Sequence, residues 1–192
     1  MKGKRLHIGC GKKYQKGWVN IDISPMVKSD LRLDVDEGLP FPDNSVAAIR
    51  MYHSLEHVKR YLFVIEELFR VCKDRAEIII GVPYVTSSMY NKVNPYHVTH
   101  FNEYSFDFFD STKLKGSAHE GTKAEFRVTS RKLNYFDEWK DKTQEEKDFA
   151  RRHYWNVVKS IDFKLTVIKP ICKRLQKEKK NEQRVQKEER IP

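Results

Sequence analysis

Cysteine is scarce in this sequence and unpaired by spacing. The 192 residues hold three, at Cys10, Cys72 and Cys172. An odd, scattered set supplies no disulfide framework, and the absence of a CxxC pair removes the usual thiolate zinc site. Long apolar runs are missing too, so no segment approaches the ~20 residues of a membrane span. The opening MKGKRLHIGCG is basic but has no apolar core of the signal-peptide kind. These absences lead us to expect a protein of the reducing cytoplasm. A third glycine is also absent: in the G-x-G-x-x-G register begun by Gly9 and Gly11, Tyr14 stands at the last position. That counts against NAD or FAD, whose fingerprint uses this glycine for close helix–strand packing.

What is present describes one globular unit. Apolar residues make up 39% and aromatics 12%, enough to build a core rather than a disordered chain. The formal charge is +10, but the stretch from Lys169 to Pro192 carries nine basic and four acidic residues. Half of the excess is therefore a property of that tail. We see no internal repeat.

The order of patterns is that of an α/β protein. Arg5–Gly9 reads as a strand that runs into Gly9-Cys10-Gly11. Trp18–Ile23 is a second strand, ending at Asp22, and Leu31–Val35 a short third. The turn LPFPDNS spans Leu39–Ser45, and Val46–Met51 is a fourth strand. Val58, Leu62, Ile65, Phe69 and Cys72 recur at helical spacing, so a helix is expected over Val58–Cys72. Glu77–Val82 is almost wholly apolar, as a strand covered on both faces should be. Strands alternating with crossovers argue for a parallel sheet. The step from Gly11 to Asp22 is short for a βαβ unit, so the first crossover helix must be cut down or lost.

After Pro83 the pattern changes. Tyr84–Thr99 is polar and aromatic without a period. Asn102–Asp110 reads as a short helix and Glu125–Phe136 as one or two strands on an antiparallel edge. Thr143 and Glu146 form a capping-box pattern. It should open a helix that carries Phe149, His153, Val157 and Ile161 on one side. Pro170 suits the first turn of a last helix. The expected organisation is a single domain over residues 1–168, with 84–122 as a lid or acceptor insertion, and a basic helix or tail over 169–192.

Two features carry chemistry. A tight glycine turn after a first strand lets backbone approach a ligand closely. A carboxylate at the end of the second strand, Asp22, can accept both hydroxyls of a ribose; the alternative is a plain turn acid. In order, HIGCG, GWVNIDI, GLPFPDNSVAAI, YHSLEH, IEELFRVCK and EIIIGVP resemble the class I S-adenosylmethionine-dependent methyltransferases, most closely their short type 11 branch. The resemblance runs from about Leu6 to Pro83, and PYHVTHFNEYSF resembles the segment that covers the site in many of these enzymes.

The resemblance implies a Rossmann-like fold: a mostly parallel sheet with an antiparallel C-terminal edge and helices on both faces. It implies S-adenosyl-L-methionine as cofactor. Gly9, Cys10 and Gly11 would lie under its methionine part. Asp22 would take the ribose hydroxyls, with Ile23 beside the adenine. Asp34 and Val35 would lie at the adenine edge, with Asp36 competing for that role, and His53 would line the cleft. Two positions depart from the family: His7 stands where most relatives have an acid, and Lys13 where many have a glycine.

Rival readings attach to the histidines. His53-Ser-Leu-Glu56-His57 matches H-x-x-E-H, a zinc-protease motif that needs one continuous helix. Here the segment leaves a strand first, so no metal is expected. His97 and His100 are the candidate catalytic residues, since histidine titrates near operating pH. The alternative is that they pin the cover through backbone hydrogen bonds. Tyr84, Tyr90, Tyr96, Phe101, Phe106, Phe108 and Phe109 either shape an acceptor pocket or pack the cover onto the sheet.

The expected activity is methyl transfer to a small molecule or sugar. The alternatives are an RNA or protein methyltransferase docking through the basic surface, which is not favoured, and a non-catalytic binding protein that keeps the fold. Oligomeric state and acceptor atom are not legible.

Overall fold

Leu6, Ile49, Ile78 and Leu165 stand side by side on four neighbouring strands, and Ile8, Met51, Ile80 and Phe163 form the next row. All eight are buried. Burying each such side chain contributes roughly 1.5–3 kcal/mol, so these two rows fix the register of the sheet. The computed structural model describes residues 3–113 and 121–169. Their strands are β1 (Lys4–Ile8), β2 (Val19–Asp22), β3 (Leu31–Arg32), β4 (Val46–Tyr52), β5 (Cys72–Pro83), β6 (Phe126–Tyr135) and β7 (Val158–Val167). They form one sheet in the order β3-β2-β1-β4-β5-β7-β6. The first five pair in parallel, and β7 and β6 add an antiparallel edge. This is the Rossmann-like arrangement expected from the sequence.

Helical cover is thin. Among the described residues the α-helices are α1 (Tyr61–Val71) and α2 (Gln144–His153). Helix α1 turns Val64, Ile65, Leu68 and Val71 inward, and the chain extends at Cys72 to enter β5 directly. The expected helix start at Val58 gives way to a 3-10 turn over Leu55–His57. Asp36 then supplies the missing cap, accepting from the amides of Lys59 (3.0 Å) and Arg60 (2.8 Å). Arg70 near the end of α1 holds the LPFPDNS turn. It pairs with Asp43 and Glu67 and donates to the carbonyls of Leu39 and Phe41. The arginine's hydrogen bonds keep the Glu67 carboxyl below its ordinary pKa.

The first crossover, between β1 and β2, has no helix at all. A buried side chain does the work instead. Asn20, fully shielded from solvent, donates to the carbonyls of Gln15 and Trp18 and to Asp30, and accepts from the Gln15 amide. His7 contacts the same amide oxygen at 3.3 Å.

Two expectations need correction in the C-terminal part. The capping box at Thr143 and Glu146 forms, but its helix stops at His153 rather than running on to Val157 and Ile161. Phe149 is half exposed, and only Ala150 of α2 is buried. Tyr154 is extended (φ −125°, ψ 153°), which ends helical geometry, and Asn156 beyond it is left-handed (φ 59°). From Val158 the chain is β7. The alternation of Ile161, Phe163, Leu165 and Val167 with polar residues marks a strand, not a helix. Asn102–Asp110, expected as a short helix, is a series of turns with a 3-10 turn at Asp107–Phe109. Phe101, Phe106 and Phe109 from this segment are buried with Phe126 and Phe163 in edge-on and stacked ring contacts. Those aromatics are core; Tyr90 and Tyr96 are exposed. The helix expected from Pro170 lies outside the described residues.

Candidate active site

The carboxyl ends of β1, β2 and β4 open into a cleft of about 410 Å³. In a parallel α/β sheet this is where ligands bind, and the size suits a small organic molecule. Gly9, Gly11, Asp22, Ile23, Asp34, Val35 and His53 all line it. Seven of the eight cofactor positions expected from the sequence therefore meet in one place. The exception is Cys10. Its side chain is buried, with Sγ 3.7 Å from the Lys28 carbonyl, and burial pushes the thiol pKa up.

Two glycines shape the floor for different reasons. A Cβ on Gly9 would stand 2.4 Å from Cβ of Ser54, so β1 and the turn after β4 touch only because no side chain is there. Gly11 has a φ of 50° and open space where its Cβ would lie. Asp22 ties the loop down: one carboxylate oxygen accepts from the Gly11 amide at 2.8 Å and the other from the Ser24 amide at 2.9 Å. A carboxylate offers about four acceptor positions, so capacity for further donors remains.

Asp34 and Asp36 are separated by their partners. Asp36 spends both oxygens on the start of α1. One Asp34 carboxylate oxygen accepts the Asp36 amide at 3.0 Å. Beyond the expected set, Ser54, His57, Val58 and Lys59 also line the cleft. They belong to the turn that follows β4. Their one sequence signal was position: residues just past the end of a central strand face the ligand side of such a sheet.

His53 lies in the left-handed region (φ 50°), which is uncommon for a residue with a side chain. Its amide donates to the Gly81 carbonyl at 2.8 Å, fixing this turn to β5. His97 and His100 part company. His97 packs edge-on against His57, with ring centroids 4.6 Å apart, and burial lowers its pKa. His100 is exposed and contacts Asn91 at 3.1 Å; neither His97 nor His100 lines the cleft. His7 lies on the other side of β1 from Leu6 and Ile8 and is absent from the cleft wall; Lys13 is exposed and likewise absent from it.

Residues 6–80 match the family model described as a methyltransferase domain, of the type 11 group. That match, over less than half of the chain, and this sheet order support a class I, type 11-like methyltransferase. The same findings support S-adenosyl-L-methionine as its cofactor. Solved structures agree in fold. An S-adenosylmethionine-dependent methyltransferase from Archaeoglobus fulgidus is 18% identical, with a TM-score of 0.56, over 85% of this chain and 86% of its own. One from Methanosarcina mazei is 17% identical, with a TM-score of 0.55, over 87% and 93%. A chain from the Haloferax volcanii complex of a methyltransferase with its activator is 14% identical, with a TM-score of 0.57, over 87% and 83%. No curated protein matches the chain. No helix among the described residues is long and apolar enough to cross a membrane.

Proposed function

We propose that the chain transfers a methyl group from S-adenosyl-L-methionine, bound in the cleft at the ends of β1, β2 and β4, to a small-molecule or sugar acceptor. The observation that carries this reading is the convergence of Gly9, Gly11, Asp22, Asp34, Val35 and His53 on one wall. The donor set fits the cofactor. Asp22 keeps acceptor capacity for two ribose hydroxyls after bonding Gly11 and Ser24. Apolar Leu33, Val35 and Val58 offer a slot for a flat base, and Asp34 retains an oxygen for its exocyclic amine. The bareness of Gly11 leaves room for the methionine part.

The bound cofactor supplies an activated methyl group on a sulfonium. The protein's share is to orient the acceptor and exclude water, which can contribute up to ~7–11 kcal/mol in ideal cases. His97, packed on His57 at the cleft margin, is placed to position the acceptor. His100, held by Asn91, serves the cover. We place the protein in the cytoplasm.

Label transfer tests the assignment. The protein is incubated with methyl-labelled S-adenosylmethionine and, separately, hydroxyl- or amine-bearing small molecules, RNA and protein extract. Label in the small-molecule pool is expected. Label in RNA or protein would replace the acceptor class. No transfer to any pool, despite cofactor binding, would point to a non-catalytic binding protein.

A further inference from the structure

Beside the cleft, Glu56, His57 and His97 each bring a ligating atom to within 4.8 Å of the others. No other group of three such side chains converges this way among the described residues. Glu56 is 1% exposed. Both its carboxylate oxygens are shut off from solvent without a hydrogen-bond partner, and so is Nδ1 of His97. A further imidazole, His53, lies with Nδ1 3.5 Å from Glu56 Oε1.

Burying a carboxylate with no donor is among the costliest arrangements a fold can hold. Its neighbours do not relieve it as the side chains stand. Imidazole nitrogen lone pairs and a carboxylate are all Lewis-basic donors, and converging donors of this kind are satisfied by a cation. The grouping is also built into the backbone. The Glu56 carbonyl accepts from the amides of Val98 (2.9 Å) and Thr99 (3.3 Å), which clamps the His97 segment onto the turn that carries Glu56 and His57.

We propose that Glu56, His57 and His97 bind one divalent transition-metal ion of the zinc, cobalt or manganese kind. Two imidazoles and a carboxylate suit such borderline ions and leave coordination positions open. This is not the zinc-protease motif. That motif needs His53 and His57 on one helix, with Glu56 as a base. Here the turn over Leu55–His57 is a single 3-10 turn, Glu56 is a ligand, and the third ligand comes from the loop after β5. The expectation of no metal weighed only the contiguous segment. His53 and His57 also line the cleft, so the ion borders the methyl-transfer site proposed above. On that reading it would hold the acceptor through an oxygen and polarise it, which favours a hydroxyl-bearing acceptor.

The test uses the full chain stripped with chelator, then titrated with Zn²⁺ and with Co²⁺ by calorimetry, with Co²⁺ visible absorption as a signature of ligation. One ion per chain is expected. Glu56→Gln and His97→Ala should each weaken it by more than ~100-fold, beyond the cost of losing an outer-shell partner. His153→Gln, at the exposed end of α2, should leave it unchanged. No stoichiometric uptake, or equal uptake by both ligand variants, overturns the proposal. S-adenosylhomocysteine titrated into the same stripped protein separates the two readings. Its binding without metal uptake sinks the metal site alone. Metal uptake without its binding sinks the cofactor reading alone.

Discussion

Asp22 and Gly11 are joined by a hydrogen bond of 2.8 Å from the glycine amide to the carboxylate. The residue proposed to hold the ribose thus also sets the loop on which the cofactor would lie. Asp22→Ala should lower affinity for S-adenosylhomocysteine by about 10–150-fold, the equivalent of a charged hydrogen bond of roughly 1.5–3 kcal/mol. The domain should stay folded, since Asp22 closes a half-exposed strand end. Calorimetry and circular dichroism on the variant check both parts; unchanged affinity would remove Asp22 from the site.

Gly9 and Gly11 should respond differently to alanine. At Gly9 the new Cβ meets Ser54 at 2.4 Å. Overpacking costs typically 1–3 kcal/mol, added to the left-handed backbone cost of roughly 1–2 kcal/mol. At Gly11 only the backbone cost applies, because space is open. Urea unfolding should rank Gly9→Ala well below Gly11→Ala in stability. Equal midpoints would contradict the contact between β1 and the turn after β4.

Asn20 replaces a crossover helix. Asn20→Ala leaves the Trp18 carbonyl and the Gln15 amide without this partner, while the Gln15 carbonyl keeps the Trp18 amide at 3.3 Å. Gln15 and Trp18 are half-buried, so a loss of about 1–3 kcal/mol in all is expected. The loop should open, seen as faster amide exchange over residues 10–18. Exchange at the wild-type rate would show that the turns hold without it.

His7 predicts a pH dependence. Burial, the largest influence on it, holds its pKa below the ordinary value, which is ~6.5 in an unfolded chain. The unfolded state therefore binds this proton first as pH falls. The associated stability is present above about pH 6.5 and is lost as pH drops from there toward the folded-state value. Urea midpoints measured from pH 7.5 to 5 should fall less steeply for His7→Gln than for wild type. Parallel curves would argue against a buried neutral imidazole.

Much of the fold was legible because the strands are short apolar runs closed by glycine, proline or acidic turns. Ile78–Val82 needed no context, and LPFPDNS announced a turn whose fixing by Arg70 lies 25 or more residues away in sequence. Strand β7 was misread because Phe149, His153, Val157 and Ile161 happen to fall at helical intervals. The left-handed Asn156 between them has no signal that periodicity can register. In the site, the glycines and Asp22 were legible from strand ends alone. The choice between Asp34 and Asp36 was not, since it rests on where the amides of Lys59 and Arg60 lie. Nor was the meeting of Glu56 and His57 with His97, which depends on the fold of the loop after β5.

The central claim is that the cleft holds an adenosyl cofactor. Calorimetric titration of the purified protein with S-adenosylmethionine and S-adenosylhomocysteine, with NAD as control, tests it most directly. One-to-one binding of an adenosyl compound, weakened by Asp22→Ala, with none of NAD, is the expected result. Absence of binding to either adenosyl compound, or equal binding of NAD, would contradict it.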